Sequence, residues 1–325
     1  RTPRINGQMG CDPAPQPTTR QIESRSEIKV TRKDLDSGTG SKRAVEDRLA
    51  KEAAVIPLVQ RAGVPTARLV SYDASRRVAD VPYLVLERLH GPTLDEFGYD
   101  PRTSVRSHTS LGEVLAAIHE VRRKDTGAIP GVPEPSPLSP QELVDQLTAA
   151  EEVGGTQGRW LMDWFGLLET HPPSETEPVL LHCDVIPSNL MVDKTGQVIA
   201  IIDWGSARWG DPVRDFADFP TRALSEMFSG YRAAARPSCS DVDPWCAGVA
   251  LEAGTLWYQL SLAMAKLVGG PSTSEARNWA APRQARLLEI LRFLSDTPPS
   301  PWPDLLTRTP ASGPPGDDDP CESRG

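Results

Sequence analysis

The stretch Leu180–Asp218 reads LLHCDVIPSNLMVDKTGQVIAIIDWGSARWGDPVRDFAD, and its spacing decides the fold. His182, Asp184 and Asn189 form H-x-D-x-x-x-x-N directly behind the apolar run Val179-Leu180-Leu181. The pattern that follows predicts a short hairpin: a strand Leu190-Met191-Val192, a turn at Asp193-Lys194-Thr195-Gly196, and a second strand from Gln197 to Ile202. That second strand delivers Asp203, Trp204 and Gly205. A base-like Asp, an Asn five residues on and another Asp at a strand end form a constellation suited to phosphoryl transfer. In it Asp184 accepts the proton of the substrate hydroxyl, while Asn189 and Asp203 offer hard oxygen ligands to magnesium. A solvated surface loop would not explain why both aspartates follow apolar runs inside one local unit.

Upstream, residues 1–26 are polar and irregular, with Pro13, Pro15 and Pro17, and read as loop or disorder. Ile28-Lys29-Val30 is a short β-like segment. Val45, Leu49, Glu52 and Ile56 then fall on one helical face, which Pro57 should kink or end. Glu52 shares that apolar face and therefore needs a partner, because an unpaired buried carboxylate is costly. Lys29 is its proposed partner and the phosphate-binding lysine, with Arg32 and Lys33 as competitors. Two strand-like runs follow, Arg68–Tyr72 and Pro82–Leu86, and Glu87 to Gly91 leaves the second as a connector.

Beyond the connector the periodicity is mainly helical. Apolar positions from Leu111 to Val121 mark one helix, and Leu143–Ala150 and Trp160–Leu168 suggest two more around a proline-rich loop at 130–140. After the hairpin, helices are expected over Ala223–Ala235, Ala247–Leu267 and Arg283–Leu294. The tail 297–325, rich in Pro, Gly, Ser and Asp, reads as disordered. The expected architecture is α+β and bilobal: a small β-rich lobe over 27–89 and a larger, mainly helical lobe over 90–296.

The 325 residues carry a net charge of −9 and a pI near 5.2, which argues against a nucleic-acid partner. An acidic surface would suit a cationic small molecule, though it is also the ordinary state of a cytosolic protein. Five cysteines (Cys11, Cys183, Cys239, Cys246, Cys321) with no C-x-x-C pair fit reduced thiols better than a disulfide framework or a zinc site. The most apolar run, Leu256–Val268, carries Gln259 and Lys266, so no membrane span is expected. No signal peptide is visible, although the chain opens on Arg1 and not on Met, and a cytoplasmic location is the expectation.

H-C-D-V-I-P-S-N, then I-I-D-W-G, then G-D-P-V-R-D-F-A resembles the aminoglycoside phosphotransferase and choline kinase-like family, which has the protein-kinase fold and phosphorylates small molecules. Weaker agreement at L-A-K-E-A-A-V-I, A-G-V-P, P-Y-L-V-L-E-R-L-H-G and L-A-A-I-H extends the resemblance over roughly 28–295. The resemblance implies ATP, or GTP in its place, together with magnesium. It implies backbone contacts to the base from Glu87 and Leu89, a cofactor contact at Ser188, and support of the site by His182, Asp211 and Asp215. The acceptor pocket would lie in the later helices, with Asp241, Asp243, Trp245, Glu252 and Trp257 as candidates and Tyr258 beside them. Trp257 also shows ordinary core spacing. His119, ending an apolar helix, reads as a satisfied core histidine.

One departure is visible. Family members open with two strands joined by a phosphate-covering loop, whereas residues 1–27 show neither strand alternation nor a convincing loop motif; Gly7 and Gly10 are the nearest approach. The loop is divergent or the chain is altered at its start, and nucleotide affinity is what this puts at stake. Asp-Trp-Gly in place of D-F-G, with no A-P-E following, separates the chain from protein kinases. The leading expectation is a kinase for a hydroxyl of an antibiotic, aminoglycoside- or macrolide-like, working as a monomer or homodimer. The alternatives are a metabolic kinase for choline, a sugar or an amino alcohol, and a pseudokinase acting as a binding module.

Overall fold

The structure, a computed structural model, describes residues 42–173, 175–235, 244–268 and 283–295. The expected strand at Lys29, the amino-terminal segment, Asp241, Asp243 and the Pro-rich tail lie outside the described residues.

The small lobe contributes helix α1 (Lys42–Arg61) and an antiparallel pair, β1 (Leu69–Asp73) and β2 (Tyr83–Leu86), in which Leu69 faces Leu86 and Asp73 faces Tyr83. Val55, Ile56 and Val59 form the buried seam of α1, all at 1% exposure or less. Of the two outcomes expected at Pro57, a kink or an end, the helix does not end there but continues one turn further, to Arg61. A proline removes one hydrogen bond near the last turn, and burial of the seam on either side of it offsets that loss. Gly63, with φ of 83°, then turns the chain, its N–H donating to the Gln60 carbonyl.

The connector leads into α2 (Leu94–Phe97), one turn held by a reciprocal cap between Thr93 and Glu96. The large lobe follows with α3 (Val105–His119), α4 (Arg123–Thr126), α5 (Pro140–Ala149) and α6 (Gly155–Leu168). β3 (Val179–Leu181) is followed by the expected hairpin, β4 (Leu190–Val192) and β5 (Val198–Ile201), with Leu190 opposite Ile201. Its turn is closed by the Asp193 carboxylate, which accepts from the N–H groups of Thr195 and Gln197 at 2.7 and 3.0 Å. A further strand, β6 (Arg208–Gly210), pairs antiparallel with β3 and was not expected from the sequence. Helices α7 (Leu224–Ala234), α8 (Ala250–Val268) and α9 (Arg283–Ser295) complete the lobe.

The core of this lobe depends on a close crossing of α3 and α7. A Cβ at Gly112 would stand 2.0 Å from the Met227 carbonyl oxygen, and one at Gly230 would stand 2.0 Å from that of Thr109. Only glycine admits the two backbones at this distance. The crossing brings His119, the last residue of α3, against Tyr231 of α7 beneath the strand ends.

Candidate active site

Between β3 and β4 the chain forms a loop fixed from below by one carboxylate. Asp215, fully buried in the 3-10 turn Pro212–Phe216, accepts the N–H of His182 through Oδ2 and that of Cys183 through Oδ1, both at 2.8 Å. Cys183 has φ of 58°, a left-handed conformation unfavourable for a residue with a Cβ, and the bond to Asp215 helps hold it there. Burial alone would raise the Asp215 pKa. Hydrogen bonds from His119 and from the loop amides outweigh it and hold the carboxyl below its usual range. His119 joins through Nε2 at 3.2 Å, and its Nδ1 meets the Tyr231 hydroxyl at 3.1 Å. The expected core histidine thus belongs to the support of the loop.

The His182 ring links the two aspartates. Its Nδ1 accepts the Asp184 N–H at 3.2 Å, so Nε2 carries the proton and donates it to the Ile202 carbonyl at 3.1 Å, one residue before Asp203. Burial, first of all, lowers the pKa of this ring and favours the neutral tautomer that both bonds require. Asn189 ends a 3-10 turn, Pro187–Asn189, that also contains the half-buried Ser188. Its Nδ2 donates to the Asp184 carbonyl at 2.9 Å and to Asp184 Oδ2 at 2.8 Å, which leaves its Oδ1 as the atom for a metal.

Asp203 also adopts a left-handed conformation, with φ of 70°. Helix α1 meets this segment at two points one turn apart. Glu52 Oε1 accepts the Trp204 N–H at 3.1 Å, and Arg48 Nη2 lies 3.4 Å from Asp203 Oδ1. Burial, then the charge of Asp203, raises the Glu52 pKa to about 7. Thr66 completes the junction: its hydroxyl donates to the Ile201 carbonyl at 2.7 Å and accepts the Trp204 indole N–H at 3.0 Å. The sequence reading missed Arg48 and Thr66. Arg48 carried a signal, standing one helical turn before Glu52.

Among the described residues, the remaining candidates are not gathered into one site. Glu87 donates its N–H to the Arg68 carbonyl and pairs with the Arg68 side chain at 3.5 Å, and Leu89 is half-buried in the connector. Asp211 accepts from Thr176 at 2.8 Å and from the Tyr258 hydroxyl at 3.2 Å. The acceptor candidates among the described residues are engaged within the fold. Glu252 is 1% exposed and held by both ends of the Arg232 guanidinium, at 2.7 and 2.8 Å. Trp245 is buried, and Trp257 donates to Glu169 with its ring against Phe165. Glu252 therefore presents no carboxylate to an incoming amine.

No cluster of three or more His, Cys, Asp or Glu side chains able to hold a metal occurs among the described residues. Asn189 and Asp203 could offer two hard oxygen atoms, a set that would suit magnesium completed by phosphate oxygens and water better than a closed all-protein site.

Residues 40–238 match the model of the phosphotransferase enzyme family. Among curated proteins the chain is 25% identical over 177 residues to acyl-CoA dehydrogenase family member 10 of Mus musculus, a match covering 52% of this chain and only 16% of that protein. Among solved structures it is similar to the GDP complex of wild-type aminoglycoside 2'-phosphotransferase-IIIa, with a TM-score of 0.52, 18% identity, and coverage of 78% of this chain and 82% of that one. It is also similar to apo macrolide 2'-phosphotransferase from Brachybacterium faecium, with a TM-score of 0.48, 19% identity, and coverage of 77% and 79%. The chain belongs to the phosphotransferase enzyme family and has a bilobal protein-kinase-like fold.

Proposed function

We propose that the protein phosphorylates a hydroxyl of an aminoglycoside- or macrolide-like antibiotic, using ATP and magnesium. The observation that carries this reading is the unit of Asp184, Asn189 and Asp203, joined by the His182 ring and by the Asn189–Asp184 bond of 2.8 Å. Asn189 and Asp203 would hold magnesium, which when bound neutralises charge on the phosphate oxygens. Asp184 orients the acceptor hydroxyl and takes its proton as the new O–P bond forms. Asn189 fixes the Asp184 carboxylate through Nδ2, so the base is positioned before the acceptor arrives. Cys183 is no nucleophile here, because burial pushes its thiol pKa well up.

The likeness in fold to an aminoglycoside phosphotransferase motivates the antibiotic reading, with choline and sugars as the alternatives that the test separates. With Glu252 and Trp245 packed inside, acceptor recognition falls to other residues, Asp241 and Asp243 among the candidates. The test is a panel of aminoglycosides, macrolides, choline and sugars assayed for nucleoside diphosphate release, with Asp184→Asn as control. Turnover of an antibiotic, lost about 100-fold or more in Asp184→Asn, is the expected result. Turnover of choline or a sugar alone would overturn the antibiotic assignment, and full activity of Asp184→Asn would overturn the role of the base.

A further inference from the structure

We infer that Thr66 is a positioning residue of the transfer centre: its hydroxyl clasps Trp204, and through it fixes both Asp203 and the His182 ring that orients Asp184. This rests on the reading of Asp203 as a metal ligand. The small lobe takes both N–H groups of Trp204. The backbone N–H donates to Glu52 Oε1 at 3.1 Å, and the indole N–H donates to Thr66 Oγ1 at 3.0 Å. The same hydroxyl gives its own proton to the Ile201 carbonyl at 2.7 Å, while the Ile201 N–H donates to the Pro65 carbonyl at 2.9 Å. One threonine oxygen therefore accepts from the residue after Asp203 and donates to the strand before it. The clasp is itself anchored, because Gly63 and Val64 donate their N–H groups to the Gln60 and Val59 carbonyls of α1, the helix that carries Glu52.

Packing alone does not demand this bond. Trp164 and Trp209 are also buried, yet their indole N–H groups have no hydrogen-bond partner among the described residues. The Trp204 indole differs in what it touches. Its ring meets that of His182 in an edge-to-face contact, with centroids 4.7 Å apart and planes at 64°. An indole held at its N–H is fixed in rotation, so it sets the plane of the imidazole against it. That imidazole accepts the Asp184 N–H and donates to the Ile202 carbonyl. Asp203, left-handed at φ of 70°, thus stands between Ile202, bonded to His182, and Trp204, bonded to Glu52 and Thr66. A non-glycine residue keeps such a conformation only where its surroundings hold it. Releasing the indole loosens the support of Asp203 and of the His182 ring at once. Phenylalanine, which stands at this position in the D-F-G of protein kinases, has no donor for such a clasp.

The test compares calorimetric binding of a non-hydrolysable ATP analogue to the full chain with magnesium and with EDTA in its place. Magnesium should strengthen binding to the wild type. That gain should shrink about tenfold in Thr66→Val, which keeps the shape and removes the hydroxyl, while the magnesium-free affinity stays within about twofold of wild type. Thr66→Ser, which retains the hydroxyl, should recover most of the gain. Trp204→Phe removes the donor from the other side and should show the same loss, so the readout survives if Thr66→Val folds poorly. A purely structural role would lower the melting temperature of these variants and leave the gain per folded molecule as it is. In isotope-labelled protein, the indole resonance absent from Trp204→Phe identifies Trp204, and its N–H should exchange with solvent faster in Thr66→Val than in the wild type. An unchanged magnesium gain in both Thr66→Val and Trp204→Phe, or an unchanged indole exchange rate in Thr66→Val, would overturn the inference alone. No magnesium gain in the wild type would remove the metal reading of Asp203, and the inference with it.

Discussion

Asp215 shows how much one residue can determine at this site. Its two oxygens receive the N–H groups of His182 and Cys183 and the ring of His119, all in the protein interior. Asp215→Asn keeps the shape but turns one acceptor into a donor, leaving a buried N–H facing an N–H. The expected cost is about 3 kcal/mol of stability, read by urea unfolding. Cys183, at φ of 58°, would lose part of what holds it, and Asp184 follows it in the chain. Turnover should therefore fall by more than the population of folded protein accounts for. If Asp215→Asn kept wild-type stability, the support assigned to this carboxylate would be wrong. The sequence put Asp215 under the loop by resemblance alone. It did not specify which amides the carboxylate receives, because the bonds run from position 215 back to 182 and 183, beyond the reach of local periodicity.

At the scale of elements, the pieces with local patterns were legible and those made by pairing were not. The β4–β5 hairpin followed from two apolar runs around Asp193 to Gly196, and α1 from its buried stripe. β6 has three residues and no alternation; it exists because β3 lies beside it. The α3–α7 crossing was equally hidden, since nothing near Gly112 refers to Gly230. Gly112→Ala would drive a methyl into the Met227 carbonyl, and Gly230→Ala into that of Thr109. Each should cost about 1–3 kcal/mol by overpacking, visible as a lowered urea midpoint with an unchanged slope, and an unaffected midpoint would contradict the crossing. Helix α3 also carries His108, whose Nε2 meets the Tyr99 hydroxyl at 3.2 Å. Burial lowers its pKa from 6.5 to about 4. The unfolded chain takes up this proton below pH 6.5 and the folded chain only near pH 4, so stability is full above pH 6.5 and falls as the pH drops towards 4. The loss attributable to His108 is at most of order 3 kcal/mol. It is measured as the difference in unfolding free energy between wild type and His108→Gln across that range, and equal pH slopes would refute it.

Across the whole molecule, the two lobes meet where the proposed transfer chemistry lies. Thr66 binds the Ile201 carbonyl and the Trp204 indole, the Ile201 N–H reaches back to Pro65 at 2.9 Å, and Glu52 receives Trp204. The bilobal α+β architecture was legible because strands and one helix precede a long run of helices. The engagement of Glu252 was not, because its partner Arg232 lies on another helix. Asp203 belongs to this junction between α1 and the hairpin, so a ligand that engages it should stabilise both lobes together. Magnesium and nucleotide at about 100-fold above Kd would raise unfolding free energy by about 2.7 kcal/mol. For a chain of this size that is a melting shift of roughly 4 °C. Asp203→Asn removes one of the two proposed metal ligands and should abolish the part of the shift that depends on magnesium, leaving whatever the nucleotide achieves alone. A magnesium-dependent shift retained in Asp203→Asn would move the metal elsewhere. No shift in the wild type at millimolar nucleotide would remove the kinase reading itself.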